Sequence, residues 1–136
     1  MCTPRGIRNC NPLNIRRNAT RWQGLREQQT DKSFFQFKTM AYGYRAAIKT
    51  LLTYFNKHRL RTIRGIISRW APPCENDTEG YIGVVASRSG IPADEEVDLY
   101  DQRQMTAIVS AMSFVENGVE ADKGEVLNGY LLAFTS

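Results

Sequence analysis

Two adjacent prolines, Pro72 and Pro73, lie between two stretches of helical pattern near the middle of the chain. Proline fixes its own φ, lacks a backbone N–H, and keeps the preceding residue out of the α region. A helix that approaches this pair must therefore end near Trp70. Asp77 or Thr78 then offers a side chain that can cap the next helix. The sequence thus predicts two helices separated by a stiff loop.

This proline loop (residues 71–77) would present Glu75 and Asn76 beside the ring of Trp70. Loops held by a rigid scaffold frequently carry binding and catalytic residues, which favours a functional role. A plain connection between two helices, with ordinary cap chemistry, would have the same local sequence. The local pattern alone does not distinguish these two interpretations.

Apolar residues recur three and four positions apart over much of the chain after residue 40. This spacing is typical of helices that bury one face. The helices predicted from it, with their caps and stop signals, span residues 41–58, 61–70, 78–89, 101–117 and 123–133. The acidic run 94–98 is expected to form a solvated turn or a single helical turn.

The first third of the chain has no helical period. Residues 1–31 are rich in Arg, Asn, Gly and Pro. Within them Gly6–Arg16 predicts an ordered loop, because asparagine side chains close turns and Pro12 fixes one corner. Two β-prone pieces, Trp22–Leu25 and Phe34–Phe37, predict a small hairpin. The expected fold class is therefore mainly α with a small β-hairpin near the N-terminus. A chain of 136 residues is expected to form a single domain over residues 1–136.

The composition, 42% hydrophobic and 24% charged, is typical of a folded protein and not of a disordered one. No apolar run approaches the roughly 20 residues that cross a bilayer, and no apolar segment near the start suggests a signal peptide. The protein is therefore expected to be made in the cytoplasm, with no membrane partner. Lysis, assembly into a particle or injection would have to deliver it elsewhere.

The charge is strongly segregated along the chain. Residues 1–69 hold fifteen Lys or Arg against two acids, a formal charge of +13, whereas residues 70–136 hold three basic residues against twelve acids, or −9. This asymmetry indicates one basic face, or two lobes that attract each other. The basic half could meet nucleic acid, an anionic polymer such as cell-wall glycan, or an acidic protein surface, and charge alone does not choose among them.

The three cysteines, Cys2, Cys10 and Cys74, are an odd number without paired spacing, which argues against a disulfide framework. Together with His58 they could supply zinc ligands, but the C-x2-C spacing of structural zinc sites is absent. No metal or organic cofactor is therefore expected. A single His on a basic helix also argues against a Ser–His–Asp triad, and no phosphate-binding glycine loop is present.

One acid lies on the apolar face of the predicted helix 101–117. At about 100° per residue, Glu116 falls in the middle of the arc formed by Met105, Ile108, Val109 and Met112. Desolvation and the negative end of its own helix both disfavour the charged carboxylate. A protonated carboxylic acid is what a glycosidase needs to protonate a leaving oxygen. A buried ion pair with an arginine of the basic half would instead favour the charged form, and spacing does not decide between the two.

Glu75 is a second candidate carboxylate, because its loop position suits a base, a water-positioning group or a substrate-binding residue. Asn76 and Tyr81 are expected to supply hydrogen bonds beside it. Trp22 and Trp70 could form stacking platforms for sugar rings, although an aromatic residue at helical spacing is more often part of the core.

Several blocks of the chain, in order, resemble a family of phage and prophage proteins. These blocks are Gly6–Arg16, Trp22-x-Gly24, Phe34-x-x-Phe37, Tyr42–Ala46 and Arg69–Tyr81. The resemblance covers most of residues 6–118 and implies a virion structural protein with a lysozyme-like fold related to lytic transglycosylases. Cys10 stands where the first block usually has a third Asn, which questions the polar role of that loop.

A weaker similarity is to bacterial cell-wall glucosaminidases, in which a helix ending in a catalytic Glu precedes an Asn-rich loop. Here the segment Ala107–Gly118 is similar to that helix but follows the loop in the chain. The resemblance therefore implies a circularly rearranged lysozyme-like domain. In such a domain Glu116 would lie beside the loop Asn9–Asn14, because chain ends often lie close together.

These resemblances imply a domain that binds peptidoglycan glycan strands and cleaves a β-1,4 bond, by hydrolysis or by intramolecular transglycosylation. Glu116 and Glu75 are the candidate catalytic residues. The candidate substrate-binding residues are Asn11, Asn14, Arg16, Trp22, Trp70, Asn76 and Tyr81. Such a protein would act at the cell wall or as part of a virion, with glycan strands and other virion proteins as partners.

Two alternatives make different structural predictions. A non-catalytic virion structural or assembly protein would pair Glu116 with an arginine and have no open cleft beside it. A nucleic-acid-binding module would place its arginines on one exposed face with no acids among them, and its binding would depend steeply on salt.

Overall fold

The computed structural model describes residues 3–135 of the chain. Its helices are α1 Arg5–Arg8, α2 Met40–Lys57, α3 Ile63–Trp70, α4 Thr78–Ser89, α5 Gln102–Asn117 and α6 Lys123–Thr135. The fold is mainly helical, as predicted. Each of the five helices predicted from apolar spacing is present, with both ends within two residues of the prediction.

The longest helix in the described part of the chain is α2, which contacts α3, α5 and α6. Thr39 caps its N-terminus by accepting a hydrogen bond from the backbone N–H of Tyr42. The predicted apolar stripe of this helix is buried at Tyr44, Ala47, Ile48, Leu51 and Phe55. Burial of this stripe places α2 at the centre of the core.

α6 approaches α2 closely at Gly129. A Cβ atom added to Gly129 would lie 2.5 Å from the Cβ of Tyr44 and 3.0 Å from the carbonyl oxygen of Ala41. A side chain at this position would therefore have to displace backbone atoms of α2. The glycine lets the two helices pack with their backbones almost in contact.

The proline loop separates α3 from α4, as the two prolines predict. Asp77 caps α4 by accepting a hydrogen bond from the backbone N–H of Gly80 at 3.1 Å. The buried hydroxyl of Thr78 donates to the carbonyl of Ala71 at 2.5 Å and so closes the loop across its two ends. The loop therefore holds a defined shape between two helix ends.

One cluster of buried apolar side chains includes residues of the five helices from α2 through α6 and of the N-terminal third of the chain. The large side chains that are fully buried are Leu13, Phe37, Tyr44, Ile48, Leu51, Ile63, Ile66, Ile67, Leu99, Met105, Ile108 and Met112. Leu13 and Phe37 anchor the N-terminal third in this core, even though that part of the chain is largely irregular.

The N-terminal third contains one short helix that the sequence pattern did not predict. α1 is a single turn in which the N–H of Arg8 donates to the carbonyl of Pro4, and the N–H of Asn9 to that of Arg5, each at 3.0 Å. Four residues are too few to show a helical period. The expectation that Gly6–Arg16 form only an ordered loop is therefore wrong at Gly6–Arg8, which belong to α1.

The predicted hairpin is also wrong, since Trp22–Leu25 and Phe34–Phe37 contain no strand. They form isolated antiparallel bridges, from Leu25 to Phe37 and from Arg16 to Phe34. The side chain of Gln29 accepts from the N–H of Gln36 at 2.7 Å, where a strand partner would accept. It also donates at 2.8 Å to the carbonyl of Gln36, which accepts from the backbone N–H of Arg26 as well. An amide side chain thus satisfies backbone groups that a ladder would otherwise pair.

The acidic run 94–98 forms a turn on the surface, as predicted. The N–H of Val97 donates to the carbonyl of Arg61 at 2.8 Å, and Glu96 bridges to Thr62. In the described part, Cys10 and Cys74 are free thiols, and Cys2 lies outside it. None of the described helices combines the length and apolar character required to cross a bilayer.

The close approach of α6 to α2 predicts opposite effects for two glycine-to-alanine changes. Gly129→Ala should destabilise the protein by about 1–3 kcal/mol, because the added methyl overpacks the contact with α2. Gly83→Ala should stabilise it by about 0.5–1 kcal/mol, since Gly83 lies in α4 with open space around it. Urea unfolding of both variants measures the two changes, and equal effects would contradict the packing described here.

Candidate functional site

An open cleft of about 640 Å³ runs between the opening loop (residues 9–16), α2, the proline loop and the end of α5. Seven of the nine predicted site residues line it, although they come from distant parts of the sequence. These seven are Asn14, Arg16, Trp22, Trp70, Glu75, Asn76 and Glu116. The other two, Asn11 and Tyr81, do not line it; Tyr81 lines a separate depression that shares Asn76 and Glu116 with the cleft.

Glu116 is half-buried in the last turn of α5, and its carboxylate is held by two hydrogen bonds. The side-chain amide of Asn14 donates to Oε1, and the hydroxyl of Tyr81 donates to Oε2, each at 2.9 Å. Within residues 3–135, no salt bridge involves Glu116. The carboxylate is therefore positioned by neutral donors and not by an arginine.

Tyr81 contributes through Glu116 and not by direct exposure to the cleft. Its side chain lies on the buried face of α4 and is only 7% exposed. Burial raises the pKa of Tyr81, and the negative charge and hydrogen bond of Glu116 raise it further. The hydroxyl therefore keeps its proton and remains a donor to Glu116. A direct contact between Tyr81 and substrate stays a prediction.

Asn11 also has a structural role. It is fully buried, and its amide donates to the carbonyls of Ile15 and Phe35 at 3.0 and 2.9 Å while its oxygen accepts from the N–H of Ile15. Asn11 is 0% exposed, so its predicted role in substrate binding stays a prediction without a contact surface in this structure. Its hydrogen bonds instead fix the shape of the opening loop.

Asn14 reaches Glu116 because its backbone adopts a left-handed conformation, with φ of 53°. Asparagine tolerates this region better than most residues, since its short polar side chain bonds locally. Cys10, earlier in the same loop, also has a positive φ of 50°. Two such residues within five positions turn the loop so that Asn14 faces the end of α5.

Behind Glu116 lies a buried polar cluster that sequence reasoning did not identify. Asn117 is 8% exposed, and its amide donates to the carbonyls of Pro12 and Ser113 at 2.8 and 3.0 Å. The hydroxyls of Ser113 and Tyr44 are 2.9 Å apart, and burial raises the pKa of Tyr44 to about 12. Gly118, the next residue after Asn117, ends α5 in a left-handed conformation.

Gly6 completes this cluster by the absence of a side chain. A Cβ there would collide with Oδ1 of Asn117 and lie 2.9 Å from the carbonyl oxygen of Asn11 and 3.0 Å from Oδ1 of Asn14. The side-chain oxygens of Asn14 and Asn117 accept no conventional hydrogen bond in the described part of the chain. Only the C–H of Gly6 fits against them, and such C–H···O contacts are weakly favourable.

Aromatic side chains form much of the remaining cleft wall. Trp70 is half-buried and packs edge-on against Tyr54, with ring centroids 6.2 Å apart. Trp22 is also half-buried and lies across the cleft in the N-terminal third. Both tryptophans pack against the core and also line the cleft. A role in the core and a role as a stacking surface are therefore compatible for each of them.

Three of the predicted site residues, Arg16, Glu75 and Asn76, are exposed at the cleft. Glu75 follows a turn in which its N–H donates to the carbonyl of Pro72 at 3.1 Å, and the amide of Asn76 donates to the same carbonyl at 3.2 Å. Arg16 lies over the ring of Phe34, 5.6 Å from its centroid. Glu75 and Arg16 are thus free to meet a ligand from opposite sides of the cleft.

A charged contact outside the cleft fixes the start of the chain. The carboxylate of Asp31 accepts two hydrogen bonds from the guanidinium of Arg5, each at 2.6 Å, and one from the side-chain amide of Asn9 at 2.9 Å. It also accepts hydrogen bonds from the backbone N–H groups of Ser33 and Phe34. The hydrogen bond from Arg5 is the main cause that holds the pKa of Asp31 far below its usual range. Asp31 therefore ties α1 and the opening loop to the segment before Phe34.

The Asp31 contact predicts a pH-dependent loss of stability. A carboxyl whose folded-state pKa is depressed stabilises the fold fully above its unfolded value of about 3.9 and progressively less below it. Asp31→Asn should therefore lower Tm at neutral pH, and the difference from wild type should shrink as the pH falls below about 4. Thermal unfolding across that range measures it, with the exposed Glu27→Gln as control; a pH-independent difference would contradict the assignment.

The close contacts around Gly6 predict that a substitution there also disturbs the hydrogen bond from Asn14 to Glu116. Gly6→Ala should cost about 1–3 kcal/mol, because the methyl must displace Asn117 and Asn14. The side-chain amide signals of both asparagines should shift in NMR spectra, since their acceptors move. Gly83→Ala, which has open space around it, is the control. An unchanged Asn14 amide signal in Gly6→Ala would show that the cluster does not position the donor to Glu116.

The chain is similar in sequence to a protein of a phage. No protein-family model matches the chain. Over 117 residues the chain is 44% identical to Protein P5 of Pseudoalteromonas phage PM2. The match covers 84% of this chain and 71% of that protein.

Proposed function

We propose that this chain, which belongs to the family of Protein P5 of Pseudoalteromonas phage PM2, is a structural protein of a phage particle whose cleft binds glycan strands of peptidoglycan. Cleavage of a β-1,4 bond by Glu116 is the further step of this proposal. The single observation that carries it is the carboxylate of Glu116, which two neutral donors position at an open cleft.

The phage relative supports the first part of the proposal. Its identity and coverage place the chain in a phage protein family, and its name states no activity. A phage that crosses a cell wall, on entry or on release, needs a protein that engages glycan. A particle component with a glycan-binding cleft would meet that need at the wall, with other virion proteins as neighbours.

The cleft supports glycan as the ligand. It has walls from four parts of the chain, is open to solvent, and has the size of a typical ligand site. Sugar rings combine apolar faces with hydroxyl edges, which suits the rings of Trp22 and Trp70 beside the amides of Asn14 and Asn76. Arg16 and the basic first half of the chain would favour an anionic wall.

Cleavage would use Glu116 as general acid and then as base. A proton on this carboxyl would pass to the glycosidic oxygen as the bond breaks, while Asn14 and Tyr81 keep the group in place. Glu75, on the facing loop, would position a water for hydrolysis. Alternatively, a hydroxyl of the sugar itself would attack, with Glu116 taking its proton, in an intramolecular transglycosylation.

The rearranged lysozyme-like fold belongs to the same proposal. It requires Glu116 to lie beside the Asn9–Asn14 loop, despite their separation in the chain, and the bond between Asn14 and Glu116 is the contact that it needs. A mainly helical fold with the acid at the end of a helix is compatible with that architecture. A single domain over residues 1–136 is likewise part of the proposal.

A second candidate function is that of a non-catalytic virion structural or assembly protein. The phage relative supports this candidate more directly than it supports cleavage, because nothing in that name refers to glycan. Against it, the candidate predicts an arginine on Glu116 and no cleft, whereas the described residues provide neutral donors and an open cleft. A nucleic-acid module fits less well, since Glu75 and Glu116 both face the cleft that Arg16 lines.

One experiment with two readouts tests both steps. Purified protein is incubated with insoluble peptidoglycan, and the bound fraction and the released muropeptides are measured. We expect wild type to sediment with the glycan and to release products. Glu116→Gln should reduce release by a factor of at least about 100 while leaving binding intact, which is the usual scale for loss of acid–base catalysis.

Matched variants separate the roles. Trp70→Ala should weaken binding, whereas Phe134→Ala, an exposed aromatic residue outside the cleft, should not. Glu75→Gln should lower release without abolishing binding. Binding without any release from wild type would leave the non-catalytic virion protein, and no binding at all would remove glycan as the ligand. Release that survives Glu116→Gln would assign the acid elsewhere.

A further inference from the structure

A second groove, of about 670 Å³, lies between α4, α5 and α6 and shares no lining residue with the cleft. Residues 70–136 contain three basic residues among twelve acids, and all three line this groove. They are Arg88, Arg103 and Lys123, one from each of the three helices. A strongly acidic half of the chain therefore gathers its positive charge at a single place.

The three cationic side chains differ in whether they form a salt bridge in the described structure. Arg88 is held: it forms a salt bridge with Glu120 and lies 3.6 Å from the centroid of the Phe114 ring. Arg103 and Lys123 are exposed, and neither takes part in a salt bridge within residues 3–135. Arg88 thus forms a fixed part of the groove wall, while two charges remain available to a partner.

The groove also has an apolar floor. Ala111 and Val126 are buried beneath it, and Ala107 and Leu127 are half-buried along its length. Small side chains on α5 leave room between that helix and α6, which is why a depression forms there. The apolar floor and the cationic rim are together complementary to a ligand that has an apolar face and acidic groups along its edge.

We propose that this groove docks an acidic amphipathic segment of another protein. The apolar stripe of such a segment would cover the floor between α5 and α6, and its acidic side chains would meet Arg103 and Lys123. Helix-in-groove recognition commonly uses apolar anchors in this way, and complementary charges at the rim select the partner and its orientation.

Charge distinguishes this partner from a nucleic acid. A long polyanion would extend beyond the groove onto the acidic surface of residues 70–136, where it would be repelled. A short protein segment with two or three acids would end before that repulsion begins. An apolar floor likewise offers no hydrogen bonds or charges to a phosphate backbone, but it does offer contact area to leucine-like side chains.

The test uses two fluorescein-labelled synthetic helices of about 15 residues. One carries a leucine stripe flanked by glutamates, and the other has lysine at each glutamate position. Fluorescence anisotropy measures both against wild type and against the double variant R103E/K123E. The control variant, K32E/K57E, reverses two exposed lysines outside the groove and has the same net charge.

We expect the glutamate helix to bind wild type and K32E/K57E alike and to lose at least about tenfold in affinity for R103E/K123E, because like charges would then face each other. The lysine helix should show the opposite preference. Equal binding of both helices, or a charge reversal without effect, would overturn the proposal, as would no binding to wild type. Displacement by equimolar single-stranded DNA would assign a nucleic acid instead. Wild-type self-association that R103E/K123E abolishes would assign a second copy of this chain.

Discussion

The carboxylate of Glu116, shared between Asn14 and Tyr81, joins three parts of the fold that are separate in the chain. A carboxylate at the end of its own helix faces the negative end of the helix dipole and is half-desolvated, so it needs donors nearby. The opening loop supplies one and α4 supplies the other. The position of this carboxylate at the cleft therefore depends on how the opening loop and α4 pack against the end of α5.

The wall made by the opening loop is ordered without regular secondary structure. Asn11 and Gln29 use their amides to satisfy backbone groups that strands would otherwise pair, and Asp31 gathers five donors at its carboxylate. Buried polar groups that are fully paired rigidify the structure around them. One side of the cleft is thus a stiff irregular segment, and the opposite side is a loop stiffened by prolines, both mounted on packed helices.

The segregated charge of the sequence has two consequences in the folded protein. Arg64, from the basic half, binds Glu79 and Asp94 of the acidic half at 2.9 and 2.7 Å, so the two halves do attract each other at the surface. These pairs are exposed and each contributes little to stability. The larger consequence is spatial: the three cations of residues 70–136 converge on one groove, which shares no lining residue with the cleft.

The helices, their caps and the proline loop were determined by the sequence itself, because apolar period, cap chemistry and the φ of proline act within a few residues. The same local reasoning correctly placed Glu116 on an inward face of α5. It failed at Arg5–Arg8, which is too short to show a period, and at the hairpin, where side-chain amides replaced a strand partner.

Only the tertiary structure decided which of these residues meet. Asn14 and Glu116 are 102 positions apart, and no local signal shows that Asn11 is buried while Asn14 is not. The approach of Gly6 to Asn117 and the convergence of Arg88, Arg103 and Lys123 depend on how helices pack. Packing is a property of many weak contacts acting together, so it cannot be read from the spacing of residues along the chain.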